Sequence, residues 1–316
     1  MANGANGATA AKPAAVAVAG AAVIGTSAVL IRLSGESSAT VAFFRCAGAL
    51  PVLAVLAWRE RSACGSRSNH GWSLLAGVLF GVTLVLQNHA IAALGAGIAT
   101  VLGNLQVLFV ALAGWALFAE RPSGRWFLAL PPALLGVLLV SGALEDASVT
   151  VTGTGILLGV LTSAAYAAFM LTTKRGQRTG FPHVVGPLAE VTGTALVVAA
   201  LYGLVRGDLH PAPSWPAWGW LLLLALGPQC AGWLLITASM KRLPVALAAL
   251  ILLLQPLVAV VLGAVVLGER LSAGQLAGCV VLLAAVLFAG PASRGRTFLR
   301  PGPPLRAPRP GPDPAP

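Results

Sequence analysis

Two charged residues stand inside long apolar runs, Arg45 in VAFFRCAGALPVL and Glu190 in GPLAEVTGTALVV. A charge at the centre of a membrane helix costs about 2.5–3.5 kcal/mol on insertion scales, so each needs a reason to be there. A guanidinium can hold a carboxylate through paired hydrogen bonds, and a carboxylate can hold an amine or carry a transferable proton. The two therefore read as a binding pair, Arg45 for a substrate carboxylate and Glu190 for an amine or a proton. The alternative is interior polar glue or snorkelling, which suits Arg45 best. Counted from Ser38 and from His183, each lies seven residues into its run. That is about 10 Å at the helical rise, entered from opposite faces. In an apolar layer about 30 Å thick an axial gap near 10 Å separates them.

Further polar candidates are scattered along the apolar segments. Glu190 is the one carboxylate well inside a run and so the first candidate for proton coupling. His89, in the cluster Gln87-Asn88-His89, is the second, because imidazole titrates near neutrality; a histidine hydrogen-bonded between helices fits equally well. Asn88, Asn104, Gln106, Gln229 and Gln255 are candidates for substrate contact beside Arg45 and Glu190. Ala96, Thr100 and Asn104 recur at helical spacing and form one small and polar stripe, whereas Gln106 points about 160° away from Asn104 on a regular helix. Gln229 follows Pro228 and Gln255 precedes Pro256, and a proline in a membrane helix frees carbonyls that can line a cavity. Trp115, Tyr166 and Trp233 are candidates for apolar walls or simple packing.

Other chemistries are not encoded. The four cysteines, Cys46, Cys64, Cys230 and Cys279, form no CxxC and no metal-type spacing, so neither a metal nor another cofactor is expected. No HExxH, GxSxG or GxxxxGK[ST] occurs, which argues against an intramembrane enzyme and against ATP as the energy source. A non-transporting receptor or scaffold remains as a rival class.

The elements that must position these residues follow from composition. The chain is 57% hydrophobic and only 9% charged, with mean hydropathy +0.87. A soluble domain carries about a quarter charged residues, so this surface belongs in lipid. The net charge of +11 sits in short clusters between apolar runs rather than on a continuous basic face, which excludes nucleic acid as a partner and leaves the lipid bilayer and a small-molecule substrate. Ten runs are long enough to cross a bilayer: 14–31, 39–58, 72–93, 97–118, 126–144, 153–173, 184–204, 216–239, 245–267 and 271–290. The fold class expected is an all-α integral membrane protein. The first run ends in Arg32 without a small-residue cleavage site, so it reads as a retained helix. Residues 1–13 and the Pro/Arg-rich stretch 291–316 read as tails outside the membrane, the latter disordered.

Loop charges orient the bundle. With the N-terminus cytoplasmic, that side collects sixteen lysines and arginines, among them Arg59, Arg67, Arg121, Lys174 and Lys241, against Arg32, Arg206 and Arg270 opposite. The expected arrangement is multi-pass in the cell (plasma or inner) membrane with both termini cytoplasmic. The GxxxG pairs Gly77/Gly81, Gly155/Gly159 and Gly274/Gly278 permit close helix approach, either within the bundle or at a homodimer face.

Residues 105–123, LQVLFVALAGWALFAERPS, recur as LQPLVAVVLGAVVLGERLS at 254–272. The shift of 149 pairs Gln106 with Gln255, Gly114 with Gly263, Glu120 with Glu269 and Arg121 with Arg270. Five helices per repeat, an odd number, make the two halves inverted, an architecture suited to exposing one site alternately to each side. With AGIATVLGNLQVLFVALAGWALFAERPS (96–123), ASMKRLPVALAALILLLQPLVAVVLGAVVLGERLS (238–272) and the arginine of FFRCAGALP (43–51), the chain resembles EamA-type proteins of the drug/metabolite transporter superfamily. The resemblance spans residues 14–290 and implies repeats at 14–144 and 153–290. It further implies a secondary transporter, typically an exporter of amino acids, other metabolites or drugs, driven by protons or exchange. Val107 stands where the pattern often has the proline seen at Pro256, so a broken-helix argument is safer in the second repeat.

Overall fold

The computed structural model describes residues 5–64, 70–144, 152–178 and 183–289; the Pro/Arg-rich stretch 291–316 and Arg67 lie outside them. Among the described residues every regular element is helical and none is a strand. Eight helices are long and apolar enough to cross a membrane. They are α1 (Lys12–Ser34), α2 (Ser38–Glu60), α3 (His70–Gly95), α4 (Gly97–Phe118), α6 (Gly153–Gln177), α7 (Val185–Arg206), α8 (Ala217–Met240) and α9 (Val245–Leu267). Two shorter apolar helices of 17 residues complete the chain, α5 (Gly124–Val140) and α10 (Ala273–Ala289). The sequence places ten spans, and each of the ten helices falls within a few residues of its run. Only the eight reach an unambiguous spanning length. The helix containing α1 already begins at Ala5, inside what reads in the sequence as a tail.

The breaks between and within helices have local causes. The break between α3 and α4 falls at Gly95, with φ 75 and ψ 164, a conformation that only glycine adopts without strain. Ser123 and Thr152 cap α5 and α6 by accepting the backbone N–H of Trp126 and Gly155. In α8, Ala225–Gly232 is wound as a π-helix around Pro228. Proline donates no N–H, and the wider turn absorbs the mismatch. Further kinks fall at Thr26 in α1, Leu105 in α4 and Leu253 in α9.

The helices of the first half pack mainly against those of the second: α2 along α7, α3 and α4 along α6 and α7, α1 against α8 and α9, and α5 against α10. Their interior is built from small side chains such as Ala21, Ala49, Ala133, Ala195 and Ala225, all fully or almost fully buried. Of the GxxxG glycines, Gly77, Gly81, Gly155, Gly159 and Gly278 lie inside the bundle. A Cβ at Gly77 would stand 2.6 Å from Thr194 and one at Gly155 2.6 Å from Leu94, while Gly278 faces Leu139 and Val140. Such approach substitutes for the hydrophobic drive that lipid removes. Large apolar residues, including Leu128, Leu204, Val265 and Leu287, face outward, as a lipid-facing surface requires.

Candidate functional site

The interior holds one polar network that joins the two halves. Arg45 on α2 is buried, and its Nε donates to Gln229 Oε1 on α8 at 3.0 Å. Gln229 Nε2 donates onward to Thr192 Oγ1 on α7 at 3.4 Å. Both partners are essentially inaccessible. The π-helical turn explains how Gln229 comes to be there. The extra residue shifts the face of α8 at the point where Pro228 interrupts the ladder. Among the described residues, neither terminal nitrogen of the Arg45 guanidinium has a hydrogen-bond partner. Two parallel donors therefore remain for a planar acceptor such as a carboxylate.

Beside this network Tyr166 on α6 lies next to Gln255 on α9 and within electrostatic reach of Arg45. Tyr166 also opens an aromatic cluster with Phe80, Phe169 and Trp233, whose ring centroids lie between 5.0 and 6.2 Å apart. The Trp233 indole N–H is buried without a hydrogen-bond partner. A buried donor left unmade costs about 1–3 kcal/mol, so this group is poised for an acceptor that arrives.

The structure thus brings together three of the candidates read from the sequence, Arg45, Gln229 and Gln255, and places the others elsewhere. Glu190 does not face Arg45. Its Oε1 is 2.7 Å from His70 Nδ1, close to the end of the bundle where α3 begins. His89 lies edge-on to Tyr202, with Nε2 3.5 Å from the phenol oxygen. Asn88 is half-buried on α3. Asn104 folds back on its own helix and donates to Thr100 O at 2.8 Å. Gln106 is buried with Oε1 unpartnered and follows the break at Leu105. Trp115 is half exposed on the outer surface and is no cavity wall. Sequence reasoning missed Thr192, whose only signal is a hydroxyl in an apolar run, and the His70 partner of Glu190, which lies at the edge of a run.

The repeated Glu-Arg motifs close two helices in the same way. Ala119 and Gly268 both take left-handed conformations, φ 54 and φ 69, and the N–H of Glu120 and of Glu269 bonds back to Gly114 O and Gly263 O. This is a Schellman-type stop, and it gives the motif a structural reason. The carboxylates then diverge. Glu120 accepts from Val245 N at 2.8 Å, pairs with Arg178 and lies 3.9 Å from Lys174. Lys174 is buried and caps the Met240 and Leu243 carbonyls. At the same end Glu60 accepts the N–H groups of Val184, Val185 and Gly186, which start α7, at 2.7–3.0 Å. Burial there holds Lys241 below the ordinary lysine value, against the opposing pull of Glu60. At the opposite end Glu269 pairs with Arg32, and His210 lies 3.1 Å from Glu36.

An apolar helical bundle organised around a buried, unsaturated guanidinium defines a multi-pass membrane protein with a polar interior site. The chain belongs to the EamA-like transporter family, whose profile matches residues 12–142 and again 153–290. It is 26% identical over 278 residues to the uncharacterized transporter YwfM of Bacillus subtilis (strain 168), covering 85% of this chain and 90% of that protein. It is 27% identical over 173 residues to an uncharacterized transporter of Archaeoglobus fulgidus, covering 55% and 59% respectively. A solved crystal structure superposes with a TM-score of 0.70 at 21% identity, covering 88% of this chain and 96% of that one, a likeness of fold.

Proposed function

We propose that the chain is a secondary active transporter that exports a small metabolite bearing a carboxylate, an amino acid being the simplest case, by alternating access of one interior site. The observation that carries this reading is the Arg45 guanidinium, bridged to Gln229 of the other half with its terminal nitrogens unused. Arg45 is the carboxylate ligand, Gln229 and Thr192 hold it in place, and Gln255, Tyr166 and Trp233 complete the wall. Glu190, paired with His70, is the first candidate for the coupling proton, ahead of His89.

The contact pattern supports ten spans in two inverted five-helix repeats. Exchanging each helix for the one five later in the chain turns the α1–α8 contact into α6–α3 and leaves the pairs α2–α7, α4–α9 and α5–α10 as they are. On this reading α5 and α10 also cross the membrane. The clustering of lysine and arginine supports a cytoplasmic location for the Glu60, Glu120 and Lys174 end and for both termini, in a plasma or inner membrane.

The test is a metabolite-export screen of cells overproducing the protein, followed by counterflow of the best solute in proteoliposomes. The expected result is saturable exchange of a carboxylate-bearing solute that is lost in Arg45→Gln while the variant still inserts. Chemical conversion of the solute, or exchange undiminished in Arg45→Gln, overturns the reading. Glu190→Gln is expected to keep solute binding but lose the pH dependence of uptake.

A further inference from the structure

A recess opens at the basic end, between α3, α6, α7 and α8, and holds about 590 Å³ of empty space, counting its mouth. The helices that wall it also lead inward to the Arg45 network. On α7, Leu188 lines the recess and Thr192, one turn deeper, accepts from Gln229. On α8, Thr237 lines the recess, Trp233 lies one turn deeper and Gln229 one turn deeper again. On α6 the inward order is Gly176, Phe169 and Tyr166, and on α3 it is Trp72, Ala76 and Phe80. Four to eight residues of helix span about 6–12 Å, so the recess is stacked on the Arg45 network at short range.

A single layer of three aromatic rings closes that distance. Phe80, Phe169 and Trp233 meet in all three pairings, with centroids 5.0, 5.5 and 5.2 Å apart, and none is more than 4% exposed. The rings come from three different helices, α3, α6 and α8, so the layer holds only while those helices stay together. Of the three, Phe169 alone lines the recess, and on its inner side it meets Tyr166 at 5.7 Å between centroids. A phenyl ring makes no conventional hydrogen bond that must break, turns about two side-chain bonds, and here has empty space beside it. Protein interiors are close-packed, and a recess backed by one layer of rings departs from that rule.

We propose that the recess is the vestibule through which a solute from the basic end reaches Arg45, and that Phe169 is the leaf of the gate between them. Swinging Phe169 towards the recess parts it from Phe80 and Trp233 and opens a way past Tyr166 to the guanidinium. Such a gate has a purpose only if Arg45 is the solute ligand, so this inference rests on that reading. Thiol access, which tests it, needs no solute, so its outcome is separate from that of Arg45→Gln counterflow.

The probe is the membrane-impermeant thiol reagent 2-sulfonatoethyl methanethiosulfonate. The full-length chain carries Thr192→Cys in the Arg45 network as its one thiol, with Cys46→Ala, Cys64→Ala, Cys230→Ala and Cys279→Ala. It sits in sealed vesicles whose basic end faces the reagent, an orientation set by labelling of Arg121→Cys and protection of Arg270→Cys, both exposed positions. Slow modification is expected with Phe169 in place. Phe169→Ala should raise the rate by about tenfold or more, since its ring contacts in the layer are lost. Phe169→Leu, which keeps more of the core filled, should raise it less. Adding Gly176→Leu should return the rate to its starting value, because a Cβ there already stands 3.2 Å from the Trp72 Cβ and a leucine plugs the recess. Ala133→Cys as the one thiol, fully buried on α5 and off the route, should stay unmodified in Phe169→Ala. No rise in either Phe169 variant overturns the proposal. So does a rise that Gly176→Leu leaves in place, or one matched at Ala133→Cys, which marks general loosening of the bundle.

Discussion

The two ends of the bundle carry the same motif and use it differently. At the basic end Glu120 is mostly buried, its side chain 15% exposed, and reaches across to the start of α9 and to two cations on α6. At the opposite end its counterpart Glu269 is 38% exposed, folds over Gly263 and pairs with Arg32, itself 69% exposed. Glu120 and Glu269 stand 149 residues apart in the repeated motif, and their partners Arg178 and Arg32 lie at the C-terminal ends of α6 and α1. An exposed pair contributes about 0–1 kcal/mol, whereas breaking a buried one strands a charge at a cost of about 3–5 kcal/mol. The basic end is therefore latched and the opposite end is held loosely. On the proposed inverted repeat that asymmetry is reversible in principle, since each end has the parts to adopt the other's arrangement.

The sharpest way to break this comparison is to neutralise each glutamate in turn. Glu120→Gln is expected to destabilise the purified protein by about 3 kcal/mol, read as a lowered denaturation midpoint, because it strands the buried Lys174. Glu269→Gln is expected to cost under about 1 kcal/mol. Equal losses would dissolve the distinction. Lys174→Met comes next, at about 2 kcal/mol, since it leaves the Met240 and Leu243 carbonyls without their donor. Raising salt towards 1 M, where the Debye length falls to about 3 Å, should erase the small Glu269→Gln effect and leave most of the Glu120→Gln effect. The smallest change concerns the helix stops. Ala119→Gly should stabilise by up to about 1 kcal/mol and Gly268→Ala should destabilise by a similar amount, because only the alanine meets the left-handed penalty.

The helices were legible because lipid imposes run lengths that no other solvent does, and the repeat was legible because Gln-x13-Glu-Arg survives in two apolar segments where composition alone would blur it. The site was legible in part. The cost of burying Arg45 flagged it, and the proline beside Gln229 flagged a disturbed helix, but their meeting across 184 residues depends on packing that no local pattern carries. Glu190 was flagged by the same cost, but its partner was not. Its neighbour His70 sits at the margin of an apolar run, where sequence gives no depth. Lys174 reads as a loop charge that orients the protein, yet the fold buries it as a cap. Trp115 and Trp233 look alike in the sequence, and only the packing sends one to lipid and the other to the interior.

The central claim, that two inverted halves alternately expose the Arg45 site, is tested most directly by distance measurements in nanodiscs. Spin labels at Arg121 and Arg175 report the basic end, and labels at Leu33 and Arg270 report the opposite end. Introducing Glu120→Gln is expected to lengthen the first distance and shorten the second within the same population. Distances that stay unchanged, or that lengthen at both ends together, would contradict the account.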